Sequence, residues 1–209
     1  YDKRKSLKKK LFPNRYNKKI ILHAASPFGW YVLHPYVNLT QDEYITHIND
    51  LIKSTEKMDG VFLALRIRLK SFRGMSLDDI KSLFIKSDCY QIYTEGSFEE
   101  YLLGSDLLVS FSSTTIEEAL QVKIPVLQYD PFNRYCHIPS TVLNDISKPL
   151  PSPIYYISNY KDLLPGLNWI KSSHLCSDTE ISLDYSSHII DFSEDWINQI
   201  VDSKLVRDI

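Results

Sequence analysis

The chain alternates short apolar runs with longer stretches in which apolar residues return every three or four positions. An apolar run bounded by turn residues predicts a buried strand, whereas the three-to-four spacing predicts an amphipathic helix. Strands are predicted on this basis at 19–25, 61–68, 90–93, 106–111, 125–129 and 154–157. One helix is predicted at 41–57, where Tyr44, Ile45, Ile48, Leu51 and Ile52 share a face behind a Thr40 cap. Others are predicted from Ser76 to near Lys86, at 98–103, after the turn at 112–115, and at 160–171, with Trp169 and Ile170 packing on the sheet. Strands separated by helices in this order make repeated β-α units. They predict an α/β fold, a Rossmann-like parallel sheet sandwiched by helices, with right-handed crossovers. Residues 1–18 read as a basic linker and 19–190 as the domain. Residues 172–188 read as a loop. Residues 191–209 read as a C-terminal amphipathic helix, with Trp196, Ile197, Ile200 and Val201, that packs back on the domain or on a partner domain.

The stretch SDLLVSFSSTTIEEALQVKIPVLQYDPFNRYCH, residues 105–137, carries the candidate chemistry. It reads as strand, hydroxyl-rich turn, short helix, strand and polar loop. The turn Ser112-Ser113-Thr114-Thr115 opens the helix, where unpaired backbone N–H groups and the positive dipole end favour an anion. Glu117 and Glu118 lie one turn into the helix, within reach of a ribose diol whose phosphates sit at the helix start. A purely structural reading stays open, because Thr114-x-x-Glu117 and Thr115-x-x-Glu118 both fit a capping box. The loop Tyr129-Asp130-Pro131-Phe132-Asn133-Arg134-Tyr135 follows a strand's carboxyl end, the edge at which parallel sheets bind ligands. Arg134 is a candidate for phosphate or sugar, Asp130 and Asn133 for sugar hydroxyls. His137 is read either as a phosphate or sugar contact or as a capping residue. The pattern points to a pocket for a nucleotide diphosphate.

At these residues the chain resembles the donor-binding C-terminal half of GT-B glycosyltransferases, and most of all bacterial transferases of surface and capsular polysaccharide. The resemblance rests on S-S-T-T-I-E-E-A-L, on Pro125 seven positions after Glu118, and on the P-V-L and Y-D-P segments. It implies one half of a GT-B fold, with Glu118, and in second place Glu117, holding the ribose of a sugar nucleotide. The pattern departs at Lys123, where the family usually has a glycine. The resemblance also implies that the loop with Ser26 and Gly29 faces the other domain across a cleft. A basic segment near Arg66 and Arg68 would help hold the donor, although an ordinary salt bridge is the favoured account of those arginines. The implied reaction moves a sugar onto a growing glycan or glycolipid without a bound metal or cofactor. The donor is a UDP-sugar by default, with CMP- and GDP-sugars open. A chain of this length that opens at Tyr1 is read as a piece of a longer protein, inactive alone, whose acceptor-binding domain lies elsewhere.

Composition narrows the field. With a formal charge of −2, 44% hydrophobic and 24% charged residues, the chain is ordinary for a globular domain. Lys3, Arg4, Lys5, Lys8, Lys9, Lys10, Arg15, Lys18 and Lys19 crowd the first nineteen residues. They read as a solvated linker or helix face, or as a peripheral contact with an anionic membrane. No base-stacking motif accompanies them, so nucleic acid is not an expected partner. Cys89, Cys136 and Cys176 show no metal-type spacing and fit a reducing compartment. The expected location is cytoplasmic, and at the inner face of the membrane if the basic segment makes that contact. Two alternatives remain: a sugar-nucleotide epimerase of the UDP-N-acetylglucosamine 2-epimerase type, and a non-catalytic nucleotide-sugar-binding or scaffold module. An NAD-dependent oxidoreductase is disfavoured, since no G-x-G-x-x-G follows the first strand.

Overall fold

The computed structural model describes residues 2–24, 39–69, 72, 74–144, 151–175 and 183–189. Seven strands form one sheet in the order β3-β2-β1-β4-β5-β7-β6. They are β1 (Lys19–Ala24), β2 (Val61–Arg66), β3 (Tyr90–Tyr93), β4 (Leu107–Ser110), β5 (Val126–Tyr129), β6 (Thr141–Val142) and β7 (Ile154–Ile157). Every pairing is parallel. Strand β1 lies between β2 and β4, with Ile21 opposite both Leu63 and Leu107.

Successive strand residues point to opposite faces, so each apolar run feeds two cores. Ile21, Leu63, Leu107, Leu127 and Tyr155 face one side, under α2 (Gln41–Glu56), α3 (Leu77–Ser82) and α6 (Tyr160–Ile170). Ile20, Leu22, Phe62, Leu108 and Val126 face the other, under α4 (Phe98–Leu103) and α5 (Thr115–Gln121). This is the doubly wound plan, and continuous apolar strands are its signature. Helix α2 begins with a complete capping box: Thr40 Oγ1 accepts from Glu43 N–H, and Glu43 Oε2 accepts from Thr40 N–H.

The structure departs from the sequence-based expectations at several ends. Strand β2 stops at Arg66, so Arg66 and Arg68 do not share a strand face. Helix α3 spans six residues and stops well before Lys86. A short π-helical turn, Lys171–Leu175, occupies the start of the expected loop. The C-terminal segment 191–209 lies outside the described residues.

The basic N-terminal segment contains a helix, α1 (Asp2–Leu11), docked on the domain. Arg4 donates to the carbonyls of Leu103 and Ser105, oxygens left over at the end of α4. Lys8 Nζ meets Asp106 Oδ2 at 2.6 Å, and the same oxygen accepts from Ile20 N–H at 2.7 Å. One carboxylate thus ties α1 to the central strand.

Lys123 sits at φ 58°, the left-handed conformation that favours glycine. It closes α5 in a complete Schellman motif, with Lys123 N–H on Leu120 O and Ile124 N–H on Ala119 O. Helix α6 depends on a glycine for a different reason. A Cβ at the buried Gly166 would collide with Ile157 Cδ1 on β7.

Two histidines are buried in the α2 side of the core. His23 lies near the end of β1 and His47 on α2, their rings 5.2 Å apart, with His47 4.9 Å from the Tyr129 ring. Burial lowers the pKa of His23 to about 3. Burial, helped by neighbouring His23, holds His47 well below its ordinary value. Tyr129 Oη donates to Asp50 Oδ2 at 2.9 Å in the same layer.

Both histidines are neutral in the fold and protonate near pH 6.5 once unfolded, so stability is complete above that pH and falls below it. Each neutral histidine costs about 1.4 kcal/mol per pH unit below its unfolded pKa. Urea unfolding across pH 7 to 4 is expected to give a shallower decline for His23→Leu than for the parent. Lys123→Gly is expected to raise stability by about 0.5–1 kcal/mol, because glycine relieves the left-handed strain. Gly166→Ala is expected to lower it by about 1–3 kcal/mol through overpacking against Ile157. Urea midpoints check both signs.

Candidate functional site

The winding reverses between β1 and β4: from β1 the chain runs outward to β2, and from β4 it runs the other way to β5. At such a switch point a crevice opens beyond the strands' carboxyl ends, the usual ligand position in this architecture. On the β1 side, Ser26 and Gly29 lie outside the described residues. On the β4 side stand Ser110 and the turn 111–114.

Ser110, Ser112 and Thr115 are buried, Ser113 is half-buried and Thr114 exposed. The turn is held by Thr115 N–H on Ser113 Oγ and Ile116 N–H on Ser113 O. Thr114 is the N-cap of α5, and its side chain makes no capping bond. Neither Thr-x-x-Glu pair therefore closes as a capping box, and Ser113 rather than a threonine holds the start of the helix. Among the described residues, Ser110 Oγ and Thr115 Oγ1 are buried without a hydrogen-bond partner, a condition that Ser54 Oγ, Thr55 Oγ1 and both His47 nitrogens in the α2 core share.

The two glutamates have different surroundings. Glu118 is exposed on the first turn of α5, with its N–H on Thr114 O. Its carboxylate makes no hydrogen bond or ion pair with a described residue. Glu117 Oε1 lies 2.9 Å from His137 Nε2, and Tyr135 Oη lies 3.3 Å from His137 Nδ1. Helix α5 and the loop after β5 are linked through that imidazole.

The loop is organised by Asp130, which is fully buried. Its carboxylate accepts from the backbone N–H groups of Phe132, Arg134 and Tyr135 and from Tyr156 Oη. Burial, with the Asp130 charge next in order, pushes the Tyr156 phenol up to about 12. Asp130 was expected to meet sugar hydroxyls. Its oxygens are instead engaged by the loop's own amides, and the residue scaffolds the site from beneath. Gln128 does the same further along, with its side chain bonded to both Ile138 O and Ile138 N–H.

Asn133 is exposed at φ 50°, a left-handed position that asparagine tolerates better than most residues, and its Oδ1 is 3.5 Å from Tyr156 Oη. Arg134 stacks its guanidinium over Phe132 and Phe111, 5.1 and 5.8 Å from the ring centroids, and donates to Glu43 Oε2 at 3.2 Å. Phe111 immediately precedes the hydroxyl turn, so the stacking brings the cation to the mouth of the switch point. Glu43 and Phe111 were not among the residues singled out by sequence. Glu43 was legible only as half of a capping box, and its second partner depends on long-range packing.

Arg66 and Arg68 stand apart from this cluster. Arg66 donates to the carbonyls of Tyr93 and Gly96 at 3.0 and 2.7 Å and lies 5.5 Å over the Tyr101 ring. Burial lowers its pKa. These partners replace the expected anion or salt bridge, and the guanidinium instead secures the turn after β3. Arg68 is exposed beyond β2. Among the described residues no group of three or more His, Cys, Asp or Glu side chains is placed to hold a metal ion. No described helix is long and apolar enough to cross a membrane.

No protein-family model matches the sequence. No curated protein matches it either. Among solved structures, the chain is similar to a candidate UDP-N-acetylglucosamine 2-epimerase from Listeria monocytogenes, at 12% identity and a TM-score of 0.47 over 80% of this chain and 39% of that one. It is similar to the wall teichoic acid polymerase TagF, at 15% identity and a TM-score of 0.46 over 79% and 38%. A third is the UDP-GlcNAc 2-epimerase from Neisseria meningitidis bound to UDP-GlcNAc, at 15% identity and a TM-score of 0.44 over 81% and 40%. The chain spans about two fifths of the length of each of these structures.

Removing the buried carboxylate leaves three backbone donors without their acceptor. Asp130→Ala is expected to destabilise the fold by on the order of 3 kcal/mol, as read by urea unfolding. Asn133→Gly, which suits the left-handed backbone, is expected to leave the unfolding midpoint nearly unchanged.

Proposed function

We propose that this chain is the donor-binding half of a GT-B type glycosyltransferase that takes a sugar from a nucleotide donor to a glycan or glycolipid acceptor. The observation that carries the reading is the hydroxyl turn Ser112–Thr115 at the topological switch point, where Ser110 Oγ and Thr115 Oγ1 are buried and unpartnered. Glu118 stands one turn into α5 with a carboxylate that no described residue engages, the arrangement a ribose diol would satisfy while the phosphates lie at the turn. Arg134, fixed by Glu43 and two phenyl rings, brings a positive charge to the same edge. The resemblance of S-S-T-T-I-E-E-A-L and Y-D-P to the family's donor-site pattern agrees with this placement.

In such a transfer the bond between the anomeric carbon and the departing phosphate oxygen breaks, and the acceptor oxygen forms the new glycosidic bond. The acceptor's proton passes to a base, which we assign to the acceptor-binding domain. Negative charge grows on the departing phosphate. The hydroxyls and N–H groups of 112–115, with Arg134, would be fixed donors aimed at that charge, and preorganised donors act mainly on the transition state. Membrane contact and the identity of the base, sugar and acceptor go beyond this reading.

Thermal shift against UDP, CMP, GDP and UDP-GlcNAc tests it. At least one nucleotide is expected to raise the parent's melting temperature. Glu118→Ala is expected to lose that stabilisation, with at least about tenfold weaker binding, while melting like the parent without ligand. A parent that responds to none of the nucleotides overturns the reading. Undiminished binding by Glu118→Ala removes the ribose role.

A further inference from the structure

The Glu117–His137 contact joins two unequal partners. The His137 side chain is 19% exposed and Glu117 is 52% exposed. His137 is held on the loop that Asp130 organises, and its second nitrogen faces Tyr135 Oη at 3.3 Å, with the rings 5.9 Å apart in an edge arrangement. Tyr135 N–H is itself fixed by the buried Asp130 carboxylate. The imidazole therefore has a supporting shell, whereas the glutamate reaches it across solvent on a flexible stem. Rotating the Glu117 side chain would expose Nε2 without moving backbone. With Nε2–H donating to the carboxylate and Tyr135 O–H donating to Nδ1, the ring presents one donor edge, and that edge is already occupied by an anion.

We propose that His137 Nε2 is an anion contact of the switch-point site and that Glu117 is its resting occupant, a competitor that a ligand phosphate displaces. The inference rests on the reading of this edge as a nucleotide-diphosphate site, and it reverses the role that the resemblance implies for Glu117. Glu117 and Glu118 then act with opposite sign, one excluding anions and the other holding ribose. The arrangement also confers selectivity. An intramolecular carboxylate competes at an effective concentration on the order of millimolar, so a small free anion is rejected. A diphosphate anchored at the hydroxyl turn as well can prevail.

Calorimetric titration of the parent, Glu117→Ala and His137→Gln with inorganic pyrophosphate, UDP and uridine tests the inference. Glu117→Ala is expected to bind pyrophosphate and UDP roughly two- to fivefold more tightly, the size that losing one half-exposed hydrogen bond to a carboxylate implies. Its uridine affinity is expected to be unchanged. His137→Gln is expected to bind both phosphate ligands more weakly, with thermal melts checking that it folds. If it melts early, the Glu117→Ala titrations decide alone. Unchanged or weaker pyrophosphate binding by Glu117→Ala, in a parent that binds UDP, overturns the inference and leaves the nucleotide reading standing. Weaker uridine binding by that variant makes Glu117 a ribose contact and also overturns it. If neither the parent nor Glu117→Ala binds UDP or pyrophosphate, both readings fall.

Discussion

A parallel sheet covered on both faces leaves polar side chains few places to go, and that constraint organises the molecule. Ile20, Leu22, Leu63, Ala64 and Leu108 are each fully buried, so the middle of the sheet accepts only apolar residues. The buried polar groups of the strands gather at their carboxyl ends. His23 is the penultimate residue of β1, Ser110 the last of β4, Gln128 and Tyr129 close β5, and Asp130 follows it directly. There the ladder of hydrogen bonds runs out and loops begin, at the edge where doubly wound sheets bind their ligands. The candidate site follows from that topology as much as from any single side chain.

Most loops are mobile, yet the one after β5 is built as scaffold. Two buried side chains support it from below: the Asp130 carboxylate gathers the amides of Phe132, Arg134 and Tyr135, and the Gln128 amide grips Ile138. Groups facing the crevice are thereby positioned at little further entropic cost, because the scaffold is already ordered when a ligand arrives. Arg134 is fixed by stacking and one ion pair, His137 by Tyr135.

The basic N-terminal stretch follows the same inward logic. Arg4 and Lys8 are directed at the carbonyls and carboxylate where α4 meets β4, and Arg15 lies 5.5 Å over the Phe62 ring. Lys9 lies 5.9 Å over the exposed Tyr16 ring. Much of this charge cluster therefore serves packing of α1 on the domain.

Local pattern sufficed for the elements whose cause is local. Apolar runs placed the strands and the Thr40 cap placed the start of α2, while the left-handed φ of 58° at Lys123 falls where the family resemblance has a glycine. The hydroxyl turn and the polar loop were also legible, since each is a contiguous run. What the residues of that loop touch was not. Asp130 and Asn133 look alike as candidates in the sequence, and only packing buries one beneath the loop and leaves the other on its surface. Glu117 and Glu118 are neighbours of one type, and only the fold brings His137 against the first and no described residue against the second. A side chain's partners are set by residues far away along the chain. Periodicity therefore reveals which face a residue occupies, whereas tertiary structure alone decides what meets it there.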